Sequence, residues 1–143
     1  MANDEHVSKE IADLLGSAKT IAVVGIKDDP SEDAFRVPRY MQQAGYRILP
    51  VNPKHACILG EPCRAKLSDV DQNIDIVNLF RASEHISVHA DEILTLDPAP
   101  KAVWMQLGIH HGPSAQRLRR AGIQVIQDRC IMVDHRKRPG EGR

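Results

Sequence analysis

The sequence predicts an α/β fold in which a parallel sheet of about five strands is covered by helices on both faces. Five short apolar runs alternate with helical segments, a pattern typical of βαβ crossovers. The first, third and fourth runs are almost continuously apolar, as expected for strands buried on both faces. The predicted strands are Thr20–Gly25, Tyr46–Val51, Ile74–Phe80, Lys101–Leu107 and Ile123–Gln127. The first run closes on Gly25, as in the opening of a nucleotide-binding βαβ unit.

The helices follow from apolar spacing and end signals. The predicted helices are Glu5–Leu15, Phe35–Ala44, Glu84–Leu96 and Ser114–Ala121. Pro38 is predicted to lie in the first turn of the second helix. The stretch between the second and third strands is rich in proline and glycine, so we expect one helical turn within Arg64–Val70. Ile131–Val133 is predicted to add a short strand.

Right-handed crossovers favour a Rossmann-like sheet of order 3-2-1-4-5, with the five predicted strands numbered along the chain. A ligand would then lie where the strand order reverses, over the loops that follow Gly25 and Gln106.

Composition narrows the class of protein. The chain has 143 residues, enough for one domain, and its 19 acidic and 19 basic residues balance. No bulk charge therefore attracts nucleic acid, and no apolar run approaches the roughly 20 residues of a membrane span. The start, Met1–His6, lacks a signal-peptide core, and the three cysteines form no CxxC, so we expect a cytoplasmic protein with reduced thiols. We expect one domain over residues 1–135 and a disordered basic tail over 136–143.

The loop after the first strand is the first candidate site. Gly25 would let backbone approach a phosphate, the following helix start would offer N–H groups, and Lys27 would add a cation. The alternative is that Gly25 only ends a strand and that Lys27 is solvated. The rest of a G-x-G-x-x-G fingerprint is absent.

The end of the second strand discriminates between cofactors. NAD-binding folds hold an acid there for the ribose hydroxyls. This chain has Asn52, Pro53, Lys54 and His55 instead, which favours a nucleotide with an extra ribose phosphate, meaning NADP or coenzyme A. The alternative is an ordinary turn with Lys54 on the surface.

Two further strand ends carry candidate residues. Phe80 and Arg81 could flank an adenine or a ribose and meet a phosphate, or could be a core ring and an exposed cation. Gln106 could hydrogen-bond a ligand, and Gly108 would permit tight backbone beside it.

Catalytic and metal motifs are not evident. The sequence has no GxSxG, HExxH or Walker lysine motif. His110 and His111 are adjacent, which makes a poor chelating pair, so no metal is expected. Cys130 is predicted to be a small buried hydrophobe, with a thiol near a ligand's reactive end as the alternative.

Together these motifs resemble a known family. The ordered set is Ile21–Gly25, Asp29-Pro30, Gly45-Tyr46, Pro50–Pro53, Gly60, Val77–Arg81, Val103–Gln106 with Gly108-Ile109, Ala121–Ile123 and Asp128–Cys130. From about Lys19 to His135 the chain is similar to small stand-alone bacterial and archaeal CoA-binding proteins. Those proteins resemble the N-terminal CoA-binding domain of the succinyl-CoA synthetase α-subunit.

The resemblance implies a Rossmann-like fold with coenzyme A or an acyl-CoA lying across the carboxyl ends of the strands. It implies that the ligand contacts Gly25, Ile26, Lys27, Val51, Asn52, Pro53, Lys54, Phe80, Arg81, Gln106, Gly108 and Ile109. Ile26-Lys27 replaces the small or hydroxyl residue that often follows the family's glycine. The phosphorylated histidine of the synthetase lies in another domain, so His110 and His111 do not inherit its role. The resemblance thus implies a module that is non-catalytic alone. An NADP-dependent oxidoreductase and a nucleotide-sensing interaction module remain alternatives.

Overall fold

The computed structural model describes residues 7–138 and shows a three-layer α/β fold. The strands are β1 Thr20–Val24, β2 Arg47–Val51, β3 Cys57–Ile58, β4 Glu61–Pro62, β5 Ile76–Leu79, β6 Ala102–Met105 and β7 Gln124–Ile126. The helices are α1 Lys9–Ser17, α2 Asp33–Gln43, α3 Ile86–Ile93, α4 Gly112–Arg120 and α5 Ile131–Lys137. Short 3₁₀ turns cover Leu67–Asp69 and Ser83–His85. The predicted fold class is confirmed.

The order of the main sheet differs from the prediction. It runs β2-β1-β5-β6-β7, all parallel, which is 2-1-3-4-5 in the numbering of the five predicted strands. The third predicted strand therefore pairs with β1, and the order 3-2-1-4-5 is wrong. The switch point therefore lies between β1 and β5, so the loops that meet there are those that follow β1 and β5, and not the loop that follows Gln106.

The face on which each crossover packs explains this order. Helix α2 packs in one core layer with α1 and α5, around residues such as Met41 and Trp104. The single turn at Leu67–Asp69 packs in the opposite layer, with α3 and α4. Right-handed crossovers on opposite faces advance in opposite directions across a sheet, so β5 returns past β2 to the far side of β1.

The long connection between β2 and β5 contains a hairpin that the sequence did not predict. Strands β3 and β4 pair antiparallel through Leu59 and Gly60, both with positive φ, at 56° and 77°. Two such residues form the tight turn that matches the twist of a hairpin. The helical turn expected within Arg64–Val70 is present.

The first two helices begin at residues other than those predicted, and the contacts at their first turns explain why. Ser8 caps α1 by accepting from the Ile11 amide, whereas the predicted start at Glu5 lies outside the described residues. Helix α2 begins at Asp33, so Pro38 lies in its second turn and not in its first. Proline has no N–H, which leaves the Ala34 carbonyl without its helical donor. The Lys27 amide supplies that donor at 3.2 Å.

The segment after β7 is a helix, and the short strand predicted at Ile131–Val133 is wrong. In α5, Ile131 is buried in the core, and Asp134 is 3% exposed. The Asp134 carboxylate is paired with Arg129, with N–O distances of 2.6 and 2.9 Å. Because α5 extends to Lys137, the first residues of the predicted basic tail are helical. Residues 139–143 of that tail lie outside the described part. Within residues 7–138, no helix is long and apolar enough to cross a membrane.

Candidate functional site

A cleft of about 730 Å³ opens at the carboxyl ends of β1, β2 and β5. The loops that follow these three strands form most of its wall, and one side of α3 together with Ala65 and Lys66 completes it. This position is the switch point of the sheet, where α/β folds bind their ligands. The cleft brings together Gly25, Ile26, Lys27, Val51, Asn52, Pro53, Lys54, Phe80 and Arg81, nine of the residues predicted from the sequence.

Gly25 is required by the close approach of two strand ends. Its φ is +85°, and a Cβ atom there would lie 2.3 Å from the Phe80 carbonyl oxygen and 3.2 Å from Cδ of Arg81. Its amide donates to the Val51 carbonyl at 3.3 Å. The absence of a side chain therefore lets the loops after β1 and β5 pack together, in addition to any role toward a ligand.

The rest of the first loop is fixed by backbone contacts. The Ile26 side chain is fully buried, and the Lys27 amide donates to Ala34. Ile26 lines the cleft, and its amide has no hydrogen-bond partner among residues 7–138. The first turn of α2, by contrast, does not line the cleft, and the amides of Phe35 and Arg36 donate to Glu32.

Asn52 connects the loops after β1 and β2. Its side-chain amide donates to the Ile26 carbonyl at 2.8 Å, and its Oδ1 accepts from the Lys54 amide at 2.7 Å. Its own amide donates to Arg64 at 2.8 Å. Because all these groups are engaged, Asn52 shapes the cleft and holds the turn that carries Lys54.

The electrostatic character of the cleft is mixed, with a positive excess. Its cations are Lys27, Lys54, Lys66 and Arg81, and its carboxylates are Asp28, Asp29 and Glu92. Hydrogen bonds from the Ser31 amide and hydroxyl lower the pKa of Asp29 below its usual value, so this carboxylate stays ionised. A polyanion therefore meets cations from three different loops, while the acids limit where its charges can lie.

Three predicted residues lie outside the cleft. Gln106 is 4% exposed, and its Oε1 accepts from the Ile131 amide at 3.1 Å. The Gly108 amide donates to Asp128 at 2.6 Å, and the Ile109 carbonyl accepts from the Asp128 amide. These contacts tie the loop after β6 to the segment after β7. The loop after β6 is separated from the cleft because β5 lies between β1 and β6.

Sequence reasoning missed several residues of the cleft wall. Lys66 lies just before the 3₁₀ turn at Leu67–Asp69. His85, which precedes α3, and His89 and Glu92 on α3 follow one another at helical spacing. The spacing i, i+4, i+7 was the available signal, but it does not show which helical face meets the cleft. No group of three metal-ligating side chains in residues 7–138 is placed to hold a metal ion.

The other reactive candidates lie away from the cleft. His110 is exposed, and His111 caps α4, its Nδ1 accepting from the Ser114 amide at 3.2 Å. Cys130 is half-buried against the core at the start of α5. None of these three side chains lines the cleft.

Comparison with known proteins agrees with this architecture. Residues 19–136 match the family described as CoA binding domain. The chain is 43% identical over 126 residues to uncharacterized protein YneT of Bacillus subtilis (strain 168), covering 88% of this chain and 92% of that protein. A solved Thermus thermophilus structure, cell-free ID.343, has a TM-score of 0.85 and 43% identity, covering 90% of this chain and 96% of that one.

A more distant structure shares the fold alone. It is the dinucleotide-forming acetyl-coenzyme A synthetase 1 of Ca. Korarchaeum cryptofilum, in complex with phosphate and ADP. The TM-score is 0.64 at 23% identity, over 75% of this chain and 25% of that one. The family match over most of the chain, together with the 43% identical relative, is sufficient for assignment, and the chain belongs to the CoA-binding domain family.

Proposed function

We propose that this protein binds coenzyme A or an acyl-CoA in the cleft at the carboxyl ends of β1, β2 and β5, and that it is non-catalytic alone. The observation that carries the proposal is the cleft itself, at the switch point and bordered by cations from three loops. Family membership supports coenzyme A as the ligand among nucleotides of similar charge.

The end of β2 is proposed to select the ribose phosphate. In NAD-binding folds an acid at this position takes the ribose hydroxyls and would repel a phosphate. Here Asn52 holds the turn, and Lys54 lies in the cleft beside it. We therefore propose that Lys54 contacts the 3′-phosphate of coenzyme A, with Arg81 as the second candidate.

The remaining contacts are proposed from position in the cleft. The Ile26 amide and the Lys27 side chain are proposed to bind phosphate oxygens, while Val51, Pro53 and Phe80 offer apolar surface. Gln106, Gly108 and Ile109 are left out of the proposed contacts, since they lie outside the cleft.

Calorimetric titration with coenzyme A, dephospho-coenzyme A, NADP and NAD tests the ligand. We expect coenzyme A to bind more tightly than NAD. Dephospho-coenzyme A should bind more weakly than coenzyme A by about 1–3 kcal/mol, the scale of one charge-assisted contact. NAD affinity equal to or above that of coenzyme A would contradict the proposal, and tightest binding of NADP would favour the oxidoreductase alternative.

A pair of lysine variants tests the position of the ribose phosphate. Lys54→Ala should reduce the preference for coenzyme A over dephospho-coenzyme A. Lys19→Ala, which removes an exposed lysine outside the cleft, should leave it unchanged. If Lys54→Ala and Arg81→Ala both leave the preference intact, the assignment of the phosphate to this end of the cleft is wrong.

A further inference from the structure

The Arg81 side chain is held at two points before any ligand arrives. Its stem packs beside Gly25, where Cδ would lie 3.2 Å from an added Cβ. Its Nε donates to Nε2 of His89 at 3.2 Å. The terminal amino groups of Arg81 make no hydrogen bond or ion pair among residues 7–138 and remain available in the cleft. An arginine held through Nε presents both terminal nitrogens in one plane, which suits the oxygens of a phosphate.

His89 can accept this hydrogen bond only as the tautomer that carries its proton on Nδ1. The side chain is 16% exposed, and burial lowers the pKa of His89, with the positive charge of Arg81 lowering it further. The ring is therefore neutral near pH 7, which leaves Nε2 as an acceptor.

The surroundings of His89 explain that tautomer. Nδ1 is buried without a hydrogen-bond partner in the described part of the chain, and the Glu92 carboxylate lies 4.0 Å away. Glu92 is itself held by the Ser68 amide, which donates to its carboxylate at 3.1 Å. His85, in the 3₁₀ turn just before α3, also lowers the pKa of His89. The nearby carboxylate favours a proton on Nδ1, the side of the ring that faces it.

We propose that His89 is a positioning residue, which orients the Arg81 guanidinium so that its terminal amino groups bind a phosphate of the ligand. The inference rests on the proposed function for the identity of the ligand. The Arg81–His89 pair itself exists in the ligand-free protein and can be tested there. Arg81, which would touch the phosphate, is the binding residue of the pair.

Nitrogen NMR of the imidazole rings tests the pair without any ligand. In the wild-type protein the nitrogen shifts of His89 should show the proton on Nδ1 at pH 7.5. In Arg81→Ala the population should move toward the Nε2–H tautomer, because the donor to Nε2 is gone. A wild-type His89 with its proton on Nε2, or no response to Arg81→Ala, would overturn the proposal whether or not coenzyme A binds.

Binding measurements test the consequence for the ligand. His89→Leu removes the acceptor and should weaken coenzyme A binding about tenfold, while His89→Gln, which keeps an acceptor, should restore most of that loss. In an Arg81→Ala background, His89→Leu should have little further effect. The control is His110→Leu, an exposed histidine outside the cleft, which should bind coenzyme A as the wild type does.

The outcomes separate the two ideas. Equal losses from His89→Leu with and without Arg81 would show that His89 acts only through the general structure, which overturns the positioning role. A wild-type protein that binds no coenzyme A, yet shows the Nδ1–H tautomer dependent on Arg81, would refute the proposed function and leave the pair intact.

Discussion

Replacing Gly25 with alanine tests the packing that brings the loops after β1 and β5 together. A Cβ at this position would lie 2.3 Å from the Phe80 carbonyl oxygen, well inside van der Waals contact. That oxygen belongs to backbone that is itself held, because the Phe80 amide donates to the Val24 carbonyl at 2.9 Å. The obstruction therefore cannot be relieved by turning a side chain.

Two costs combine at this position. A non-glycine residue with φ near +85° is strained by about 1–2 kcal/mol, and overpacking costs about 1–3 kcal/mol. The stiffer unfolded chain of the alanine variant offsets about 0.4–1 kcal/mol. We expect Gly25→Ala to lower the free energy of unfolding by about 2–4 kcal/mol. With about 2.1 cal/mol/K of unfolding entropy per residue, this is a fall in Tm of about 7–13 °C.

Gly122→Ala is the matched control. Gly122 has almost the same φ, +87°, but nothing lies within 4 Å of the position of an added Cβ. It therefore reports backbone strain alone, with an expected loss of about 1 kcal/mol and about 3 °C. Thermal unfolding followed by circular dichroism measures both variants. If the two glycine variants lose the same stability, the reasoning from the Phe80 carbonyl is refuted.

Two other predictions follow from buried and reactive groups. Burial lowers the pKa values of His89 and His135 below 6.5. As the pH falls through that value, the unfolded chain binds more protons than the folded protein, so the folded protein loses stability. The urea concentration at the midpoint of unfolding should therefore decrease as the pH is lowered from about 7.5 to about 5.5. His135→Gln should flatten that dependence and the exposed His110→Gln should not; an unchanged slope in His135→Gln would contradict the assignment. Turnover of acyl-CoA, followed by free thiol, should stay below about 1 s⁻¹, because neither His110 nor Cys130 lines the cleft. Faster turnover that His110→Ala or Cys130→Ala abolishes would contradict a binding module.

Local sequence patterns predicted much of the fold. Apolar runs located the five main strands, and glycine and proline marked the ends of most helices, because burial and backbone freedom act over a few residues. The same locality explains the errors. Ile131–Val133 is as apolar as a strand, but its helix depends on distant partners, since Gln106 accepts from the Ile131 amide at 3.1 Å and Tyr40 hydrogen-bonds His135 at 2.7 Å.

The residues of the cleft could be predicted from the sequence where they directly follow a strand. Parallel strands finish at one edge of a sheet, so Gly25, Lys54 and Arg81 could be grouped without knowing the strand order. Gln106 could not be excluded in this way, because its distance from the cleft depends on β5 lying between β1 and β6. Lys66 and the α3 side chains could not be included, since their positions depend on how the connection between β2 and β5 crosses the sheet.

The sequence by itself determined the fold class, the family and the chemistry at each strand end, because these depend on residues that are close in the chain. Only the tertiary structure decided the strand order, the switch point and the partners of Asn52, His89 and Gly25. The physical reason is that a short crossover with a single helical turn carries no signal for the face on which it packs. That choice of face sets which loops meet, and hence which polar groups are engaged with each other and which remain available to a ligand.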